Sequence, residues 1–137
     1  MQWLWIMALA FDLGSVKTEP NLERRSELAI ENAHAALTSA REAYTSGNLE
    51  KTQAGLDEVD ESVDLAFDSL VDTGKDPRKS SKFKKAELRT RELLRRLEGL
   101  RDLVSFADRF LVERVQAHVS EVHDNLLKGI MSKRKKK

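Results

Sequence analysis

Apolar residues recur along this chain at alternating spacings of three and four, the period that gathers them on one face of an α-helix. A first stripe reads Ile30, Ala33, Leu37, Ala40 and Tyr44, and a second Leu49, Thr52, Leu56, Val59, Val63, Ala66 and Leu70. A third reads Phe83, Ala86, Thr90, Leu93, Leu97, Leu100 and Val104, and the last Val112, Val115, Val119, Val122 and Leu126. Each stripe predicts a helix of about 20–25 residues, or ~30–37 Å at 1.5 Å per residue. Breaks fall where turn chemistry is dense. Ser46-Gly47 and Gly74 suit the left-handed residue after a helix, and Gly129 is read as the stop of the last one. Thr18, with Pro20 in the first turn, Asn48, and Ser80 or Ser81 are candidate N-caps; Ser105 with Asp108 is a variant capping box.

Matched lengths and short joints make consecutive helices antiparallel. The fold class is therefore all-α, an antiparallel up-down four-helix bundle built of two helical hairpins and spanning residues 20–130. Ala29, Ala36 and Ala43 flank the first seam and would permit a close helix approach.

The hairpin AREAYTSGNLEKTQAGL, residues 40–56, resembles the middle of a tetratricopeptide repeat. It has an aromatic before the turn (Tyr44), a glycine in it (Gly47) and an apolar residue after it (Leu49). The helices are too long for that repeat, Thr52 stands where a small Ala is usual, and no second copy follows at a period of about 34 residues. What the resemblance implies is shared helical-hairpin chemistry.

The ends differ from the middle. Residues 1–11 are strongly apolar and carry both tryptophans, Trp3 and Trp5, a run too short to span a bilayer. Ending in Ala8-Leu9-Ala10, the run resembles the back half of a secretory signal peptide, which implies export to a periplasmic or secreted location. It lacks the Lys or Arg that opens such a peptide; the alternative is an apolar cap on the bundle of a cytoplasmic protein. Residues 12–19 read as a polar lead-in. The basic tail, residues 131–137, has nothing apolar to hold it and is expected to be disordered.

Composition adds bounds. With 137 residues the chain is one domain, and without cysteine it has no disulfide, thiol nucleophile or thiolate metal site. Net charge is only +1, yet residues 49–72 hold eight acids against one base, and residues 75–96 ten bases against three acids. On the helical wheel Asp57, Asp60, Asp64 and Asp68 form an acidic stripe on the second helix. Lys84, Arg91 and Arg95 form one basic stripe on the third, with Lys82, Arg89 and Arg96 on its other flank. Joined by one loop, these two helices are expected to lie side by side, acid against base. The second basic stripe, extended by Lys75, Arg78 and Lys79, is then left as a candidate surface for a polyanion such as nucleic acid, an anionic membrane or an envelope polymer. Sequence-specific nucleic-acid reading is not expected, because no helix-turn-helix or aromatic platform is present and Phe83 belongs to the seam.

Catalytic signatures are sparse. Glu31 and His34 have the Glu-x-x-His spacing of di-iron bundles, but His118 and His123 follow Val115 and Ser120 at that offset, so no second copy exists. His118 lies near the apolar face of its helix and reads as a boundary histidine. No serine sits in a strained turn beside a base, no glycine-rich phosphate loop is present, and the carboxylates of the second helix are expected to be solvated with ordinary acidity. The reading is a non-enzymatic helical-bundle interaction protein with no cofactor or metal. Its partner is expected to be another protein, with homo-oligomers also possible. Leu65, nearly opposite its seam, is a candidate apolar contact, beside Phe67 and Val71.

Overall fold

The computed structural model describes residues 13–132. Its elements are α1 (Leu13–Lys17), α2 (Leu22–Thr45), α3 (Leu49–Asp72), α4 (Ser81–Leu103), a 3-10 turn (Phe106–Asp108) and α5 (Arg109–Met131). The four long helices form an all-α bundle made of two hairpins, α2/α3 and α4/α5. All the seam residues predicted above are buried except Tyr44, half-buried at one end, and Leu49, exposed there. The signal-like run 1–11 and the tail from Lys133 lie outside the described residues.

Local chemistry sets the ends of these helices. Asn21, rather than Thr18, caps α2, its side chain accepting from the Arg24 N–H at 3.0 Å. Thr18 instead closes α1, donating its hydroxyl to the Ser15 carbonyl at 2.6 Å. The lead-in is not wholly polar in its packing, since Leu13 is buried and Val16 rests on the core. Asn48 caps α3 and Ser80 caps α4. Gly47 and Gly74 adopt φ of +80° and +72°, the left-handed region that makes glycine the natural residue after α2 and α3. Gly129 does not stop α5, which continues to Met131. Its missing side chain serves packing: a Cβ there would lie 3.1 Å from Pro77 in the α3–α4 loop.

Small residues hold the first hairpin tightly. Ala29, Ala33, Ala36 and Ala40 of α2 are buried, and a Cβ on Gly55 of α3 would fall 3.0 Å from the Ala40 Cβ. At such an approach polar groups must pair internally. Ser26 donates to the Ala66 carbonyl at 2.8 Å, and buried Asn32 donates to Ser62 Oγ at 2.9 Å and to the Glu58 carboxylate at 2.8 Å.

The arrangement of the hairpins corrects one expectation. The acidic α3 and basic α4 are not neighbours; they face each other across the bundle diagonal, and residues 73–80 carry the chain across its end. The edges between hairpins join α2 to α4 and α3 to α5. Partners advance together along both: Lys82 with Glu27 and Arg89 with Glu31, then Asp57 with Arg114 and Asp64 with His118. Both edges are therefore parallel. The acids opposite the basic helix come from α2, where Glu23, Glu27 and Glu31 recur every four residues.

Candidate functional site

Two regions carry chemistry beyond core packing: the charged edge between α2 and α4, and the end of the bundle where α4 turns into α5. Of the six candidate anion-binding residues, Lys75, Arg78, Lys82 and Arg89 meet acids of the same molecule, Arg96 meets neutral groups of α2, and Lys79 has no such partner. Lys82 Nζ lies 2.9 Å from Glu27, which also takes Lys85 at 3.3 Å. Arg89 bridges Glu31 at 2.9 Å and Glu92 on its own helix. Arg96 donates to the His34 carbonyl at 3.0 Å and to the Thr38 hydroxyl at 2.8 Å. Lys75 reaches Glu23 at 2.8 Å, and Arg78 grips Asp76 through two hydrogen bonds of 3.0 and 2.7 Å. These bonds, with the backbone N–H of Arg78, hold the Asp76 carboxyl well below the usual carboxylate range. The hydrogen bond from Lys82 does the same for Glu27, against a smaller opposing effect of burial. Among the described residues Lys79, Lys84 and Arg95 are the cations of this stretch with no ion pair or side-chain hydrogen bond.

The histidines are also engaged. His34 contacts Arg89 and Arg96, and Glu31 contacts Arg89, so the Glu-x-x-His pair is spent on the α2–α4 edge. His118 Nε2 lies 2.7 Å from Asp64, and His123 Nε2 2.7 Å from buried Glu87. Burial raises the Glu87 carboxyl, but hydrogen bonds from His123 and Arg91 outweigh it and leave the group below its ordinary range. Among the described residues no group of three or more acids and histidines is arranged to hold a metal ion. The carboxylates of α3 are not uniformly solvated, contrary to expectation. Asp60 turns towards α5, its Oδ1 is buried without a hydrogen-bond partner, and desolvation pushes its pKa up to about 6 despite the nearby charges of His118 and Arg114.

At the α4–α5 turn the chemistry is apolar. Phe106 is 85% exposed and Phe110 64%, with Leu103 and Leu49 exposed at the same end. A network beneath them fixes the turn. Tyr44 donates its hydroxyl to Asp108 Oδ2 at 2.9 Å and accepts from the Ser105 N–H at 2.8 Å, while Ser105 Oγ donates to the same carboxylate oxygen at 3.0 Å. Asp108 thus serves the network rather than capping, and α5 begins after a 3-10 turn instead of the anticipated capping box. The Arg109 guanidinium stands 5.9 Å above the Phe106 ring. Tyr44, Gly47, Leu49 and Asp108 line a shallow pocket beside this ridge.

Sequence reasoning passed over Phe106 and Phe110. Their signal was available: Phe110 stands two residues, about 200°, from seam residue Val112, so it must point away from the core. Leu65 and Phe67, by contrast, are half-buried against the core, so Leu65 is not a free contact; Val71 is exposed. Among the described residues no helix is long and apolar enough to cross a membrane. Compared with known proteins, the chain matches no family model and no curated sequence.

Proposed function

We propose that this protein is a non-enzymatic interaction module that docks on another protein through the apolar ridge at the α4–α5 turn. The observation that carries the reading is the pairing of exposure with rigidity. Phe106 and Phe110 stand in solvent on a turn tied down by Tyr44, Ser105 and Asp108. Preorganised aromatic side chains lose little conformational entropy on binding and are common anchors of protein interfaces. The α2/α3 hairpin contributes Tyr44 and Leu49, so the ridge draws on both halves of the bundle. Export through the signal-like N-terminal run remains part of the proposal and would place the partner outside the cytoplasm.

The rival reading, a polyanion surface on α4, has less in its favour. Lys82 and Arg89 already meet Glu27 and Glu31, and Arg96 is held by His34 and Thr38, so an external phosphate would have to displace internal partners. A photo-crosslinking amino acid at position 106, compared with one at position 84 on the basic helix, tests the choice in the native host. The proposal expects an adduct of one defined mass from position 106, absent from position 84 and competed by unlabelled protein. Adducts from position 84 alone would overturn it, and a mass of twice this chain would replace the foreign partner by a second copy.

A further inference from the structure

The α2–α4 edge contains a histidine whose surroundings accept only one protonation state. His34 is buried, and its ring lies between two groups of α4. Its Nε2 is 3.2 Å from the backbone carbonyl of Arg89, and its Nδ1 is 3.1 Å from a guanidinium nitrogen of Arg96. A carbonyl can only accept and a guanidinium can only donate. The ring must therefore donate from Nε2 and accept at Nδ1, which is the neutral tautomer. A second proton would put an N–H on Nδ1 against the N–H of Arg96, and a positive charge beside another.

The charged groups that act on His34 are the guanidinium groups of Arg89 and Arg96 and the carboxylate of Glu92, all on α4; Glu31 on its own helix holds the same Arg89. The other helices packed on α2 are α1 and α3, and no group of either is among those that shift His34. Burial first, then the two arginines, depress the imidazole below its ordinary value.

The remaining edges are built differently. His118 Nε2 lies against Asp64 between α3 and α5, and His123 Nε2 against Glu87 between α4 and α5, so neither ring faces a guanidinium as His34 does. Asp60, facing His118, Arg114, Asp64 and Asp57, is relieved of an unpaired buried charge when it takes up a proton. A proton on His34 therefore loosens the α2–α4 edge, while a proton on Asp60 relieves the α3–α5 edge. Beneath the loosened edge lies a cleft floored by Ile30, Leu70 and Ala86 and roofed by Glu27, Lys82 and Arg89.

We propose that His34 is the trigger of a pH-sensitive latch: a proton gained by its ring frees α4 from α2 along one edge of the bundle and leaves the α3–α5 edge closed. The movement is a hinge between the two hairpins, and it uncovers the apolar floor of the cleft.

The absence of cysteine allows spin labels to be placed cleanly on the full chain. Arg41→Cys with Arg95→Cys spans α2 and α4, and Glu61→Cys with Glu121→Cys spans α3 and α5, all four positions being exposed. Electron-spin distance distributions at about pH 7.5 and about pH 5 should broaden and lengthen for the first pair and stay unchanged for the second, with a midpoint below the ordinary histidine value of 6.5. His34→Gln, whose amide can both donate and accept without titrating, should abolish the change. Arg96→Gln, which keeps the histidine but removes one of the charges that depress it, should move the midpoint to higher pH or shrink the opening. No change in the first pair, equal change in both, or an unaltered transition in His34→Gln overturns the latch. If His34→Gln does not fold, an unaltered transition in Arg96→Gln overturns it instead.

Discussion

The tight α2/α3 contact can be tested by adding one methyl group at two glycines. Gly55 in α3 and Gly99 in α4 both lie inside long helices, where replacing Gly by Ala gains about 1 kcal/mol of helix propensity. Their surroundings differ. A Cβ on Gly99 would meet only the end of the Arg41 side chain at 4.0 Å, which can swing away. A Cβ on Gly55 would lie 3.0 Å from the Ala40 Cβ and 3.1 Å from the Ala36 carbonyl, neither of which moves without shifting α2. Overpacking of this kind costs about 1–3 kcal/mol, more than the propensity gain. We expect Gly99→Ala to stabilise the protein by about 0.5–1 kcal/mol and Gly55→Ala to destabilise it by up to about 2 kcal/mol, read from urea unfolding midpoints at constant slope. The opposite signs carry the argument. A Gly55→Ala protein as stable as Gly99→Ala would show that α2 and α3 are not in this close register.

Further predictions concern charge and the turn. The Asp60 carboxyl binds its proton more tightly folded than unfolded, so the folded state loses stability as pH rises from 3.8 through about 6. The full shift corresponds to about 3 kcal/mol, which solvent screening trims to about 1–2 kcal/mol. Asp60→Asn should therefore stabilise the protein by that amount near neutral pH and give no gain in acid, a difference that thermal melts at two pH values would measure. Tyr44→Phe removes one of two hydrogen bonds to Asp108 Oδ2 and the partner of the Ser105 N–H, and should cost about 0.5–1.5 kcal/mol in chemical unfolding; a loss below about 0.3 kcal/mol would deny the network a role in fixing the turn. Gly129→Val drives a side chain into Pro77 and should lower stability by about 1–3 kcal/mol, with faster hydrogen exchange in residues 73–80 than in the parent.

The seams were legible because burial in a helical bundle follows period alone, and residues such as Leu56, Leu93, Val115 and Val119 have no exposed alternative. Which helices share an edge was less so. A wheel drawn for α3 and α4 shows strong opposite charge, and chain adjacency suggests they touch, but charge pairing is decided by geometry between all faces. The quieter stripe of Glu23, Glu27 and Glu31 on α2 was the true complement of α4. Gly129 looked like a helix stop because its sequence neighbourhood contains nothing of Pro77, which reaches it through the diagonal crossover. Asp60 looked like its solvated neighbours because its burial depends on the approach of α5. The ridge of Phe106 and Phe110 could have been read from its phase against Val112, but the length of the 3-10 turn that displays it could not.

The most direct measurement is the affinity for the partner recovered through position 106, compared between two variants of the full chain. Phe106→Ser with Phe110→Ser should weaken binding at least about tenfold, or about 1.4 kcal/mol, at an unchanged melting temperature. Replacing the unpaired cations Lys79, Lys84 and Arg95 by Ala should leave affinity within about twofold, as expected for exposed charges outside an interface core. The reverse pattern, with the cation variant losing affinity and the phenylalanine variant retaining it, would contradict the account and return the basic helix to the centre of function.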